Sequence, residues 1–357
     1  MRMPGKTAVT LGLMLAATLT GAALAADEPK APAPTLSEVL ESSGVTLSGY
    51  VDGTYSYASS SSQSYDTFAL DQAAFTIAKQ PASGFGALLN VVAGTQACNG
   101  CYAPGYFQGS TSDFNVLQAY VQYVSGNFTV LGGKFTTLAG AEVAAPTGNS
   151  NITRSLLFWY SEPVTHVGVR VAVAASSMAT FTVGVNNGWN NDVSAGSGKG
   201  VEVGVSLTPS KSLALAAMGH YGDFPNSATS SGVSKRSLLD AVATWTVSPK
   251  LTLVGSADFD TQEKATASGG TASWWGAAVY ANYAINDSWR TSLRAEYLDD
   301  QDGYATGAVG KLKEGTLTFG YAPAKSIELR FEGRYDQSDV TGVDDVTQAW
   351  VEALYKF

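Results

Sequence analysis

Charged side chains occupy every second position in one segment near the end of the chain. Between Ser326 and Tyr335, acidic and basic residues alternate with Ile327, Leu329 and Phe331. In an extended strand the charged residues share one face and the apolar residues share the other. Guanidinium and carboxylate groups on one face can form ion pairs, or they can attract and repel dissolved ions. This face must therefore contact water or opposite charges.

A neighbouring segment shows the same alternation and the same mixture of signs. Together the two segments predict a charge ladder that consists of Arg290, Arg294, Glu296, Glu328, Arg330, Glu332 and Arg334. The alternating signs favour salt bridges that brace a wall. A basic track that guides anions is the alternative, which the interleaved glutamates disfavour.

A second group of charged residues surrounds the longest polar stretch, residues 138–164, which is called the long segment below. The group consists of Lys134, Glu142, Arg154, Glu162, His166 and Arg170. We expect its basic members to form a wall that faces the acidic members or Asp52. Opposed basic and acidic walls produce an electric field across the space between them, and this field orders water and sorts ions by charge. The alternative is that each of these charges is simply solvated.

Residues for catalysis or tight metal binding are scarce. The chain has two histidines, His166 and His220, and two cysteines, Cys98 and Cys101. No Gly-x-Ser-x-Gly turn and no phosphate-binding loop occurs in the sequence. A lone Cys-x-x-Cys is half of a four-cysteine zinc site, and in an exported protein a local disulfide between the two cysteines is favoured. We expect no enzyme, no cofactor and no metal site.

The composition narrows the class of protein. Only 14% of the 357 residues are charged, 11% are aromatic and 38 are glycine, with a mean hydropathy of +0.02. This excludes most disordered chains, which are highly charged and poor in aromatic residues. One long apolar run is too few for a helical membrane bundle. The net charge of −9 argues against a nucleic-acid partner.

The first 44 residues differ from the rest of the chain. Arg2 and Lys6 precede an apolar stretch at 8–19 and a small-residue cleavage site at 23–25. This order predicts a signal peptide over residues 1–25, with a single membrane anchor as the alternative. Residues 26–44 read as a proline-rich leader and a short helix, which Thr35 or Ser37 caps and Gly44 ends. The helix either belongs to a periplasmic leader or docks at a pore mouth.

From Val45 onward, apolar and polar residues alternate in segments of about ten residues or more, which suits a tilted membrane-spanning strand. Short connections alternate with long ones, and aromatic residues gather near segment ends, as in transmembrane barrels. The alternation places Lys134 on the water side of its strand, and Leu131, Gly133 and Phe135 on the lipid side. We predict an antiparallel transmembrane β-barrel over 45–357. Its sixteen strands start near Val45, Phe68, Gly84, Phe114, Phe128, Thr165, Ala179, Lys199, Leu213, Arg236, Leu251, Ala272, Ser288, Glu314, Ser326 and Thr347.

Several motifs resemble one known family. They are Ser48–Gly53, Leu70–Lys79, Gly133–Phe135, Thr153–Phe158, Thr165–Arg170 and Val183–Trp189. These segments resemble the putative β-barrel porin-2 family, the OmpL-like porins. The resemblance implies an outer-membrane pore without naming its solute. The terminal Phe357 resembles the aromatic assembly signal of bacterial outer-membrane proteins.

The likeness to sixteen-stranded porins implies that the long segment folds into the lumen and narrows it. Alternatively, the long segment caps the outer mouth. We expect passive diffusion of small hydrophilic solutes or ions, and a homotrimer. The expected partners are membrane lipid, lipopolysaccharide near the acidic outer loops, and the barrel-assembly machinery. The alternative function is a plugged barrel that binds a partner, and the inward Trp274, Tyr280 and Trp350 either fill space or stack sugars.

Overall fold

The computed structural model describes residues 35–97, 114–196, 198–226, 229, 232–266 and 268–357. The predicted signal peptide and the Cys98–Cys101 pair lie outside the described residues. The described chain has a helix, α1, at Leu36–Ser43 and a short helix, α2, at Leu156–Tyr160. The strands are β1 Thr46–Ser60, β2 Ser64–Lys79, β3 Gly84–Ala93, β4 Phe114–Ser125, β5 Phe128–Thr136, β6 Thr165–Ser176, β7 Ala179–Asn186, β8 Gly200–Ser210, β9 Leu213–Pro225, β10 Val233–Ser248, β11 Leu251–Gln262, β12 Ala272–Ala284, β13 Trp289–Asp300, β14 Gly310–Ala324, β15 Ile327–Ser338 and β16 Val346–Lys356.

The strands form one closed barrel. Each strand pairs antiparallel with the next in sequence, and β1 pairs with β16. The predicted sixteen-stranded barrel is therefore confirmed. Closure leaves no strand edge unpaired, which is the condition for a sheet in hydrocarbon.

Three strands begin earlier than predicted. β2, β10 and β14 begin at Ser64, Val233 and Gly310, three or four residues before the predicted starts. Most of the polar stretch 59–66 belongs to β1 and β2. These strand ends extend beyond the alternating part of the sequence. Backbone pairing continues there although the outward side chains are no longer apolar.

The two faces of the wall differ as the alternation predicts. On β14, Leu317 and Phe319 are exposed on the outside, whereas Thr316 and Thr318 are buried inside. An apolar outer surface of this kind is what lipid requires, because hydrocarbon offers polar side chains no hydrogen bonds.

The chain ends close the barrel seam. The backbone N–H of Gly49 donates to the Phe357 carbonyl at 2.9 Å, and the Phe357 N–H donates back at 3.0 Å. A Cβ at position 49 would lie 2.5 Å from the Ala74 carbonyl oxygen and 2.8 Å from Phe357 Cε2. Only glycine fits this position without a shift in the backbone.

Helix α1 begins and ends at residues that the sequence predicts. The Thr35 hydroxyl accepts a hydrogen bond from the Glu38 N–H, and the Glu38 carboxylate accepts from the Thr35 N–H. These hydrogen bonds lower the pKa of Glu38. Thr35, rather than Ser37, is the cap, and Gly44 ends the helix with a φ of 68°. Among the described residues, no helix is both long and apolar enough to cross a membrane.

The connections differ in length at the two ends of the barrel. At the end where β1 begins and β16 ends they are short, whereas the opposite end carries the longer ones. The long segment leaves β5 at this second end and turns inside. Its Phe158 and Val164 pack with Tyr50 and Leu354 of the wall, and its Leu157 packs near Trp274. The long segment therefore lies within the barrel, and the alternative of a cap over the mouth is wrong.

Candidate pore constriction

Four arginines of the charge ladder hold the backbone of the long segment. Each donates from its Nη1 atom to a carbonyl oxygen, and the four carbonyls span nine consecutive positions. The pairs are Arg330 with Pro146 at 3.2 Å, Arg290 with Ser150 at 2.7 Å, Arg294 with Thr153 at 2.7 Å and Arg334 with Arg154 at 2.7 Å. A buried loop must find partners for its backbone groups, and β13 and β15 supply them here.

Carboxylates of the same wall receive the backbone N–H groups. Glu332 accepts from Ile152 N at 2.6 Å and from Thr153 N at 2.9 Å. Glu296 accepts from Leu156 N, the first residue of α2, at 2.7 Å. The ladder therefore binds both the carbonyl groups and the N–H groups of the long segment's backbone.

Arg294 is the centre of the network and is fully buried. Its guanidinium group lies 2.7 Å from Glu142, 2.9 Å from Glu296 and 3.1 Å from Glu314. Three carboxylates around one cation leave an excess of negative charge. The neighbouring Arg334, 3.9 Å from Glu314, reduces this excess.

The other ladder arginines are also paired. Arg290 contacts Glu328 at 2.6 Å, and Arg330 contacts Glu328 at 2.9 Å and Glu352 at 3.2 Å. The predicted ladder did not include Glu314 or Glu352, although both have the water-side parity of β14 and β16. Asp336, which lies on β15, pairs with Arg334 at 2.7 Å.

The predicted basic wall does not form. Arg154 donates to the carbonyls of Val143, Ala144 and Ile152 at 2.9, 2.9 and 3.0 Å, so it cross-links the long segment to itself. Glu142 lies with Arg294 rather than opposite a basic wall. A guanidinium group close to three backbone carbonyls of its own segment is satisfied locally.

The remaining basic candidates are each paired separately. Arg170 forms two hydrogen bonds with Glu202, at 2.7 and 2.9 Å. His166 stacks on His220 with ring centres 4.9 Å apart. Lys134 contacts Asp192 of the loop 187–199 at 2.8 Å. All three groups lie on the inner face of β5 and β6, but each has its own partner.

The predicted lipid-side position of Phe135 is wrong. The side chain is 1% exposed, and its ring lies 4.2 Å from the guanidinium carbon of Arg170. Phe135 is paired in register with His166, which also lies inside. Gly133, with a φ of 137°, interrupts the regular alternation two positions earlier.

Glu162 lies among carboxylates rather than beside a basic group. One oxygen from each of Glu162, Asp240 and Asp258 lies within 4.8 Å of the other two, and all three side chains are buried. Burial, with the nearby charges of Asp240 and Glu142, raises the pKa of Glu162 well above that of an ordinary glutamate. We call these three residues the acidic trio. Carboxylate oxygens are the ligands that hard cations prefer.

Two cavities adjoin the long segment. The turn-end cavity, of about 480 Å³, lies against β1–β5 and reaches Lys356 and Phe357. The loop-end cavity, of about 290 Å³, lies between α2 and the outer parts of β9 and β10. Phe158 and Val164 line both cavities, so these two side chains lie where the cavities approach each other.

The turn-end cavity is lined mainly by neutral polar groups and small apolar groups. Its charged lining residues are Glu142, which is paired with Arg294, and Lys356. Its hydroxyl and amide side chains are Ser48, Tyr50, Thr76, Asn90, Gln118, Thr136, Thr137 and Thr147. This surface could not be predicted from the sequence, because isolated neutral residues on five different strands form no recognisable motif.

The inward aromatic side chains help to fill the lumen. Trp274 is fully buried, and its indole N–H donates to the Tyr160 carbonyl and the Ser161 hydroxyl, both at 3.1 Å. Tyr280 and Trp350 are also buried. Of the two predicted roles, space filling fits Trp274, because the ring of Tyr304 stacks on it at 5.8 Å between ring centres.

Solved structures of similar shape are outer-membrane proteins. The channel DcaP of Acinetobacter baumannii is 14% identical, covers 88% of this chain and 97% of its own, and has a TM-score of 0.63. OprB of Pseudomonas putida is 12% identical over 89% and 96%, with a TM-score of 0.63. The anion-selective porin from Comamonas acidovorans is 12% identical over 88% and 99%, with a TM-score of 0.64. At sequence identities of 12–14%, these structural similarities establish the fold alone.

Sequence comparison gives the family. A search of curated proteins found no match. The family model described as "Putative beta-barrel porin-2, OmpL-like" matches residues 44–353, which is most of the chain and includes β1 to β15. The chain belongs to this family of OmpL-like β-barrel porins.

Proposed function

We propose that this porin passes small hydrophilic solutes and ions by diffusion between the long segment and the wall formed by β1–β9. The observation that carries the proposal is the pair of cavities on this side, which share Phe158 and Val164 as lining residues. On the opposite side, hydrogen bonds and ion pairs join the long segment to β13–β15. The proposed path is therefore lateral, on the side of the two cavities.

The charges along the path predict modest ion selectivity. The ladder arginines are neutralised by carboxylates, and the turn-end cavity is lined mainly by neutral groups. Neutral hydroxyl and amide groups can exchange hydrogen bonds with an uncharged hydrophilic solute as readily as with water. We infer that size, set at Phe158, governs passage more than charge does.

The cellular setting is part of the same proposal. The chain would be exported with cleavage after residue 25, assembled through Phe357 by the barrel-assembly machinery, and placed in outer-membrane lipid beside lipopolysaccharide. It would act as a homotrimer, as the trimer form of OmpT from Vibrio cholerae supports. It would not be an enzyme and would bind no nucleic acid.

A plugged barrel is the second candidate function. Phe158 packs with buried wall residues, which include Tyr50 and Leu117, so the apolar contacts of the long segment extend across the lumen. A barrel closed in this way would conduct nothing, and its outer loops would bind a partner instead.

Conductance distinguishes the two functions. Folded protein in a planar bilayer should show steady current steps, and proteoliposomes should swell in isotonic solutions of small sugars. Phe158→Ala should raise the conductance, because it removes the ring between the two cavities. Phe319→Ala, on the lipid face, is the matched control and should leave conductance unchanged. If protein that is folded, as its heat-modifiable gel mobility shows, carries no current, the porin function is contradicted and the plugged barrel is supported.

A further inference from the structure

The acidic trio joins three separate parts of the barrel. Glu162 lies near the end of the long segment, Asp240 lies on β10, and Asp258 lies directly opposite Asp240 on β11. Like charges at directly opposed positions of neighbouring strands destabilise a sheet. Their convergence within 4.8 Å therefore needs a compensating partner.

No positively charged group of the described chain provides that partner. Both carboxylate oxygens of Asp258 and Oε2 of Glu162 are buried without a hydrogen bond from a described residue outside the trio, and the backbone N–H of Gly140 approaches Asp240. The side chains of the trio are only 4–5% exposed. None of the ion pairs formed among the described residues includes a member of the trio.

The contrast with the ladder is informative. There, Glu142, Glu296, Glu314, Glu328 and Glu352 each contact a guanidinium group, and Glu332 accepts hydrogen bonds from two backbone N–H groups. A buried carboxylate without a counter-charge is strongly unfavourable. Asp260, two positions from Asp258 on the same face, is also fully buried, but the charge of Arg236 and the hydroxyl of Ser161 act on it. The trio has no such basic neighbour among the described ion pairs, so its carboxylates are arranged to receive positive charge from outside the protein.

We propose that Glu162, Asp240 and Asp258 bind one calcium ion, which ties the end of the long segment to β10 and β11. Three carboxylates offer up to six oxygens, and calcium takes six to eight oxygen ligands in flexible geometry. Magnesium requires a stricter octahedron and retains its water more firmly, so it should bind less tightly. The proposal does not depend on the solute path.

An ion has a route to this position. Glu162 also lines the loop-end cavity, of about 290 Å³, on the side of the longer connections. The proposed calcium therefore lies at the wall of a space that water and ions can enter. The ladder fixes residues 146–156 of the long segment, whereas calcium would fix residue 162, near the end of that segment.

Calcium titration tests the proposal directly. The refolded full-length protein, treated with a chelator and then dialysed, is titrated with calcium chloride in a calorimeter. We expect one ion per chain. Asp258→Asn and Asp240→Asn should each weaken binding by about 100-fold or more, since even loss of an outer-shell partner costs about 10- to 100-fold. Asp66→Asn, an exposed acid on β2, is the matched control and should bind as the wild type does.

Thermal stability gives an independent readout. Calcium should raise the unfolding temperature of the wild type and leave that of Asp258→Asn unchanged. In chelator, Asp258→Asn should unfold at a higher temperature than the wild type, because it removes one of the opposed charges. This second outcome also shows that the variant folds. Absence of stoichiometric binding to folded wild type, or equal binding by Asp258→Asn and Asp240→Asn, would overturn the proposal, whether or not the barrel conducts.

Discussion

Replacing Arg294 with methionine isolates the contribution of the buried network. Methionine retains much of the volume of the side chain and removes its charge. The change leaves Glu142, Glu296 and Glu314, which lie 2.7, 2.9 and 3.1 Å from the guanidinium group, without their common cation. It also frees the Thr153 carbonyl inside the barrel.

The expected cost follows from burial. Removing one member of a buried ion pair costs about 3–5 kcal/mol, because the remaining charge is left uncompensated. Arg294 is fully buried, so this range applies to it. Arg290, whose side chain is 27% exposed, has one carboxylate partner, Glu328, which Arg330 still neutralises after the change. Arg290→Met should therefore cost only about 1 kcal/mol.

Two assays measure the effect. Unfolding of the refolded barrel in urea, followed by tryptophan fluorescence, should show the larger loss of free energy for Arg294→Met. Single-channel recordings should show a noisier and larger current, since the long segment loses its central contact. Adding Glu296→Gln to Arg294→Met should recover part of the stability, because it removes one of the uncompensated charges. Equal losses for Arg294→Met and Arg290→Met would refute the reasoning.

Two further changes test the wall itself. Gly49→Ala should slow assembly and reduce the folded fraction on a heat-modifiable gel, because the new Cβ would meet Phe357 and the opposite backbone, whereas Gly333→Ala, with open space around it, should assemble normally. Leu317→Arg on the lipid face should lower the free energy of unfolding by about 2–4 kcal/mol if the position lies near the bilayer centre. Leu317→Met should change the unfolding free energy little, and an arginine tolerated equally well would contradict the membrane-facing assignment.

The strands could be predicted because lipid imposes a simple rule on them. On a strand such as β14, every outward residue must be apolar and every inward residue can be polar, so the alternation alone locates the strand. Where the barrel extends past the membrane this rule ends. The early starts of β2, β10 and β14 therefore had no signal in the sequence. Phe135 was misplaced because Gly133 disrupts the alternation on which the rule depends.

The partners inside the barrel could not be predicted in the same way. Parity correctly placed Arg294 and Glu332 on the water side, but their contacts with the long segment depend on how that segment crosses the lumen. Arg154 illustrates the difficulty, since its guanidinium group donates to carbonyls of its own segment and not to a facing wall. The opposition of Asp240 and Asp258 depends on the register of β10 and β11, which becomes visible only once the strands are paired.

The lumen is asymmetric, and this asymmetry limits what net charge can say about selectivity. Four of its arginines lie on β13 and β15, where they neutralise carboxylates and hold the long segment. These charges act mainly on protein groups and contribute little net field along the lateral path. Glu162 of the acidic trio, by contrast, lines the loop-end cavity and forms no ion pair with a described residue, and the buried Arg236 lines the same cavity. Their charges, and that of an ion bound at the trio, set the field inside this cavity more directly than the total of −9 does.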